Sequence, residues 1–111
     1  MAQYSAVLDG VFIALADPTR RAVLRQLGRG PTSVGDLARD APMTLPSFMK
    51  HVRVLESNGL IRTAKSGRVR ICELNQERFA LVEDWLAEQR RIWTDRTDRL
   101  ERFVTNPKEE Q

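Results

Sequence analysis

Residues 44 to 60, TLPSFMKHVRVLESNGL, constrain the fold most, because their pattern fits a short two-faced helix with a built-in stop. With Phe48 as origin and about 100° per residue, Val52, Leu55 and Leu45 share one side, while Pro46, Lys50 and Arg53 fall roughly opposite. One face is suited to burial and the other is left for a partner. Thr44 is placed to cap the start, where a hydroxyl accepts from an orphan backbone N–H. Asn58-Gly59 supplies left-handed backbone for the stop.

The segments before it read as helices that need a common core. Val7, Leu8, Val11, Phe12 and Leu15 recur at helical spacing. Asp17-Pro18-Thr19 then opens a second helix, with Asp17 as cap and Pro18 in the first turn, where its missing N–H costs nothing. Ala22, Val23 and Leu27 form its inner face, and Arg20, Arg21 and Arg25 are left to solvent or a backbone phosphate. Ser33 starts a third helix in an S-x-x-D arrangement with Asp36, suited to satisfying backbone donors at both positions; Leu37 and Ala38 supply the apolar side. Ala41-Pro42-Met43 turns tightly into the opening stretch, which makes a helix-turn-helix.

After Gly59 the period changes. Residues 60 to 64 and 68 to 74 are rich in β-branched side chains, and Lys65-Ser66-Gly67 between them predicts a hairpin turn. Val69 and Ile71 alternate with Arg68 and Arg70, so the expected hairpin packs one face and carries cations near its tip. A basic hairpin directly after a cationic helix is the arrangement of a wing.

From Asn75, placed as a cap, a last helix runs to about Val104. Phe79, Val82, Leu86, Trp93, Leu100 and Phe103 form a continuous stripe, interrupted by Gln89 and Arg96 in the same register. At 1.5 Å per residue such a helix is about 43 Å long, more than a domain of this size needs for its own core. Part of the stripe is therefore expected to face a second copy. The residues predict a mainly α chain with a β-hairpin wing: one domain over 1–104 and a charged tail over 105–111.

Charge and reactive residues narrow the function. The chain carries a net +3, but residues 44 to 74 hold six cations against Glu56 and Glu73, leaving the remainder slightly negative. A basic segment on a near-neutral body suits phosphate contact. A single cysteine, Cys72, excludes an internal disulfide, and its strand-like setting suits a small buried hydrophobe; a redox-responsive thiol stays open. A single histidine, His51, leaves no second imidazole for a metal cluster and no partners for a catalytic triad, so neither an enzyme nor a cofactor is expected. No apolar run approaches the roughly 20 residues of a membrane span and no signal segment opens the chain, so the cytoplasm is expected.

ALADPTRRAVLRQL at 14 to 27, KHVRVLESNGLI at 50 to 61 and the hairpin RTAKSGRVRICEL at 62 to 74 resemble the ArsR-type winged helix-turn-helix repressors. The resemblance covers nearly the whole chain, and the tail DWLAEQRRIWTDRTDRLERF is similar to the last helix of members without metal ligands. It implies a homodimer joined through its first and last helices, with Val7, Val11, Phe79, Val82, Leu86, Trp93, Leu100 and Phe103 at the interface. It also implies a near-palindromic double-stranded operator. Carried over position by position, Pro46, Ser47 and Lys50 are candidate base-edge readers, and Thr44 is a further DNA-binding candidate. His51 and Arg53 are expected at phosphates. Lys65, Ser66, Arg68 and Arg70 on the wing are expected at the DNA backbone or minor groove.

Two departures bear on that resemblance. Metal-sensing members place cysteines where this chain has Thr32, Ser33, Val34 and Gly35, or Asp and His pairs on the last helix, where this chain has no histidine. Metal sensing is therefore not expected. Met49 stands where a serine is frequent, so an operator preference does not transfer. A small-molecule effector stays open and unidentified: Trp85, Trp93 and Phe79 are aromatic, but aromatic residues on such a stripe ordinarily form core.

Overall fold

The computed structural model describes residues 2–105; residues 106–111, most of the expected charged tail, lie outside the described residues. The helices are α1 (Ala2–Leu15), α2 (Pro18–Leu27), α3 (Val34–Arg39), α4 (Leu45–Ser57) and α5 (Gln76–Thr105). The strands are β1 (Thr32–Ser33), β2 (Ile61–Ser66) and β3 (Val69–Leu74), in one antiparallel sheet of order β1-β3-β2. The chain divides between Phe79 and Ala80 into two compact units, so α5 begins in the first and supplies the described part of the second.

In the first unit the caps form as the sequence predicts. Asp17 Oδ2 accepts from Arg20 N at 3.0 Å, Ser33 Oγ from Asp36 N at 3.1 Å, and Thr44 Oγ1 from Ser47 N at 3.3 Å. The reciprocal half of the Ser33 arrangement is absent, because Asp36 instead pairs with Arg39 at 2.7 Å. Asn75 departs further: its amide donates back to Gly59 O at 2.8 Å rather than capping α5.

Gly59, with φ of 76°, ends α4. Leu60 N bonds Leu55 O and Gly59 N bonds Glu56 O, the paired bonds of a Schellman stop. Leu55 and Leu60 are fully buried, so the apolar contact that accompanies this stop is also supplied.

The core draws on the first four helices: Leu8, Val11 and Ala14 of α1, Val23, Leu24 and Leu27 of α2, Leu37 of α3, and Phe48, Val52 and Leu55 of α4. Leu60, Ile61 and Cys72 close it from the sheet. Each large side chain buried there contributes about 1.5–3 kcal/mol of transfer free energy. Val11, expected at an interface with another copy, is fully buried inside its own chain and has no surface to offer. Among the described residues of α1, Phe12 and Ile13 are exposed instead, and Val7 is half-buried. Ala22, expected inside, is exposed, and Leu24 takes the inner position.

The hairpin is shifted from expectation. Its strands reach Ser66 and resume at Val69, leaving Gly67 and Arg68 as a two-residue loop, with Gly67 at φ of 65°. Cys72 is buried, so by strand alternation Arg70 lies on the packed face and Val69 and Ile71 on the other. Val69 is accordingly exposed. β1 was not legible as a strand: two residues pair with Ile71 and Cys72, far along the chain.

In the second unit α5 continues as a single helix. Over its 30 residues it spans about 45 Å. Leu86, Ile92, Trp93, Leu100, Phe103 and Val104 are exposed along it. No helix among the described residues is long and apolar enough to cross a membrane.

Candidate nucleic-acid interface

The two sides of α4 separate sharply. Phe48, Val52 and Leu55 are at most 1% exposed, whereas Thr44, Pro46, Ser47, Lys50 and Arg53 are all exposed. Leu45 joins the outer group at 57% exposed, because the first turn of α4 extends beyond the core it points toward. Met49 is half-buried. The Thr44 hydroxyl donates to Ser47 Oγ at 3.0 Å while accepting from the Ser47 backbone, so these two side chains are held together at the helix start.

His51 is placed differently from its expected outward position. Its Nδ1 lies 3.1 Å from Arg20 Nη1 and 3.7 Å from Asp17 Oδ2, turned back toward α2. The α2 arginines also depart from expectation. Arg20 donates to Ala14 O and Ile13 O, and Arg21 to Leu15 O, so both engage the carbonyl end of α1 rather than solvent or a phosphate. Of the three, only Arg25 is exposed with no such bond among the described residues.

Burial pushes the Asp17 carboxyl up in pKa. The backbone N–H of Arg20, the charge of His51, the Arg20 guanidinium and the backbone N–H of Thr19 outweigh it and hold the group below its ordinary 3.8.

On the wing, Lys65, Ser66, Arg68 and Arg70 are exposed. Arg70 is nevertheless partly committed: its Nη1 donates to Thr63 Oγ1 at 3.0 Å, and Thr63 Oγ1 donates to Glu56 Oε2 at 2.6 Å. Glu56 is on α4, so this chain of bonds fastens the wing to the helix beside it. Arginine has five donors, and the guanidinium keeps others for a phosphate. Nothing in the local sequence marks Thr63 for this role, because both partners are seven residues away.

Cys72 lies beneath this network. Burial raises its thiol pKa, and the charge of Glu56 adds to that while Arg70 opposes it. A buried thiol held protonated is a packing residue rather than a nucleophile. Among the described residues no three His, Cys, Asp or Glu side chains gather as a metal site would need.

A helix-turn-helix whose second helix keeps a cationic outer face, fastened to a basic hairpin, defines a winged helix-turn-helix protein. Comparison with known proteins agrees in detail. The helix-turn-helix domain family matches residues 15–64. The HTH-type transcriptional regulator Rv2034 of Mycobacterium tuberculosis is 37% identical over 86 residues, 78% of each chain. The transcriptional repressor SdpR of Bacillus subtilis is 32% identical over 68 residues, covering 61% of this chain and 76% of its own. A solved structure of an ArsR family transcriptional regulator, RHA00566, is 58% identical with a TM-score of 0.77, over 79% of this chain and 97% of that one. The chain belongs to the ArsR family of winged helix-turn-helix transcriptional regulators. That is a family of regulators and not an enzyme class.

Proposed function

We propose that the protein acts as a homodimeric repressor that recognises a near-palindromic operator, with α4 in the major groove and the wing along the backbone. The observation that carries this is the division of α4, which buries Phe48, Val52 and Leu55 and exposes Pro46, Ser47, Lys50 and Arg53. Lys50 donates to guanine O6 and N7, Pro46 meets a thymine methyl, and Thr44 and Ser47 line the groove. Arg53, Lys65, Ser66, Arg68 and the free donors of Arg70 engage phosphates, which orient the protein without reading much sequence. The designation of SdpR as a repressor supports the direction of control.

Residues 1–104 then work as one DNA-binding and dimerising domain. Leu86, Trp93, Leu100 and Phe103 recur on one stripe of α5 and are exposed in the single chain, which suits a helical partner. Val7, Phe79 and Val82, each half-buried, flank the contact, and Phe12 and Ile13 replace Val11 on α1. The dimer places two α4 helices on half-sites about 34–36 Å apart, or a multiple of that. Thr32, Ser33, Val34 and Gly35 where metal-sensing members carry cysteines, and a last helix without histidine, support a regulator that does not sense metals.

A gel-shift assay with competitor DNA tests this. A complex on the promoter fragment that survives excess unrelated DNA is the expected result. Loss of the complex to any competitor, together with a steep salt dependence, reduces the activity to phosphate neutralisation.

A further inference from the structure

Arg20 reaches two helices with one rigid fork. Its Nε donates to Ala14 O at 2.8 Å and its Nη2 to Ile13 O at 3.0 Å, in the last turn of α1. Ile13 O also accepts from Ala16 N at 3.2 Å, and both carbonyls lie at the negative end of the helix, so a cation is well held there. The remaining arm, Nη1, meets His51 Nδ1 at 3.1 Å in the middle of α4. Arginine has no acceptor, so this contact is a hydrogen bond only when Nδ1 carries no proton.

We propose that Arg20 and His51 form a tie fixing α4 to the carbonyl end of α1, and that His51 is a positioning residue for DNA recognition rather than a phosphate contact. The proposal rests on the DNA-binding function above. It predicts a pH dependence of opposite sign to that of a phosphate contact. A proton on Nδ1 removes the acceptor and sets a second cation against the guanidinium. Asp17 Oδ2, 3.7 Å away, then becomes the better partner, and α4 loses its link to α1. A histidine that touched DNA would bind phosphate more tightly once protonated.

The charged groups facing His51 among the described residues are Arg20 from α2 and Asp17 from the corner before it. On α4 itself, the neighbours three and four residues away, Ser47, Phe48, Val54 and Leu55, carry no charge, and the adjacent Lys50 is exposed.

The test measures operator affinity of the full chain from pH 8 to pH 5.5 for wild type, His51→Asn and His51→Ala. Nitrogen NMR of the free protein's imidazole is recorded alongside, and thermal melts confirm folding. Asparagine places an acceptor oxygen near the position of Nδ1 and does not titrate. Wild-type affinity is expected to fall about tenfold on acidification, the scale of a lost charge-assisted hydrogen bond. His51→Ala is expected to be weakened about as much throughout. His51→Asn should recover most of that loss and show a flat profile. At pH 8 the imidazole proton should reside on Nε2.

Wild-type binding that tightens on acidification overturns the proposal, as does His51→Asn behaving like His51→Ala. A proton on Nδ1 at pH 8 shows that the tie does not form. If wild type forms no sequence-specific complex at any pH, the DNA-binding function fails and the positioning role with it, while the NMR signal still reports the tie.

Discussion

Lys50 and Arg68 are both exposed cations, and their places in the fold separate the roles proposed for them. Lys50 projects from the outer face of α4, and Arg68 occupies the hairpin loop next to Gly67. Lys50→Ala should reduce discrimination by about 1–3 kcal/mol at one operator position, read from affinities for single-base variants. Arg68→Ala should weaken binding to all sequences and reduce the salt slope by about 1. Asp17 yields a stability prediction. Its folded pKa is depressed below 3.8, so the unfolded chain binds more protons in that range. The carboxylate's contribution is complete above the unfolded value and is lost as pH falls through the folded one. Asp17→Asn keeps a good cap without the charge. Its urea midpoint should lie below that of wild type near neutral pH, with the gap closing under acid conditions; a gap that persisted there would assign the effect to packing. Caps such as Asp17, Ser33 and Thr44 were legible because their partners lie three residues away. The targets of Arg20 and His51 were not, because the contact between them spans 31 residues.

The stop of α4 and the wing show how local rules combine with long-range packing. Gly59 sits at positive φ, and an added Cβ would come within 2.7 Å of the Arg78 guanidinium. Gly59→Ala should therefore destabilise the protein by about 1–2 kcal/mol from the backbone alone, seen as a lower denaturant midpoint at unchanged slope. An unchanged midpoint would mean that the turn tolerates another conformation. That glycine and the order of the helices could be read from the sequence. The face of the hairpin could not. The β-branched Val69 and Ile71 look like the packed side, but the Gly67-Arg68 loop pairs Ser66 with Val69 and sets Thr63 opposite Cys72. A one-residue change of phase moves every side chain to the other face. It is this register that puts Arg70 within reach of Thr63 and, through it, Glu56.

For the whole molecule, the length of α5 and its exposed apolar residues bear on assembly. Trp93 and Leu100, 57% and 65% exposed, are too large and too regularly spaced to suit water on every side. Trp93→Glu combined with Leu100→Glu should leave the helix content unchanged and convert the proposed dimer to monomers in sedimentation, with operator affinity falling steeply. A persistent dimer would release α5 from that role. The most direct test of DNA recognition is selection of bound fragments from the source genome, run in parallel for wild type and Lys50→Ala. The proposed function predicts a shared inverted-repeat motif for wild type, with half-site centres about 10–10.5 base pairs apart or a multiple of that, and a relaxed preference at one symmetric position for the variant. Fragments enriched without any common motif, or an identical motif for both proteins, would contradict sequence readout by the outer face of α4.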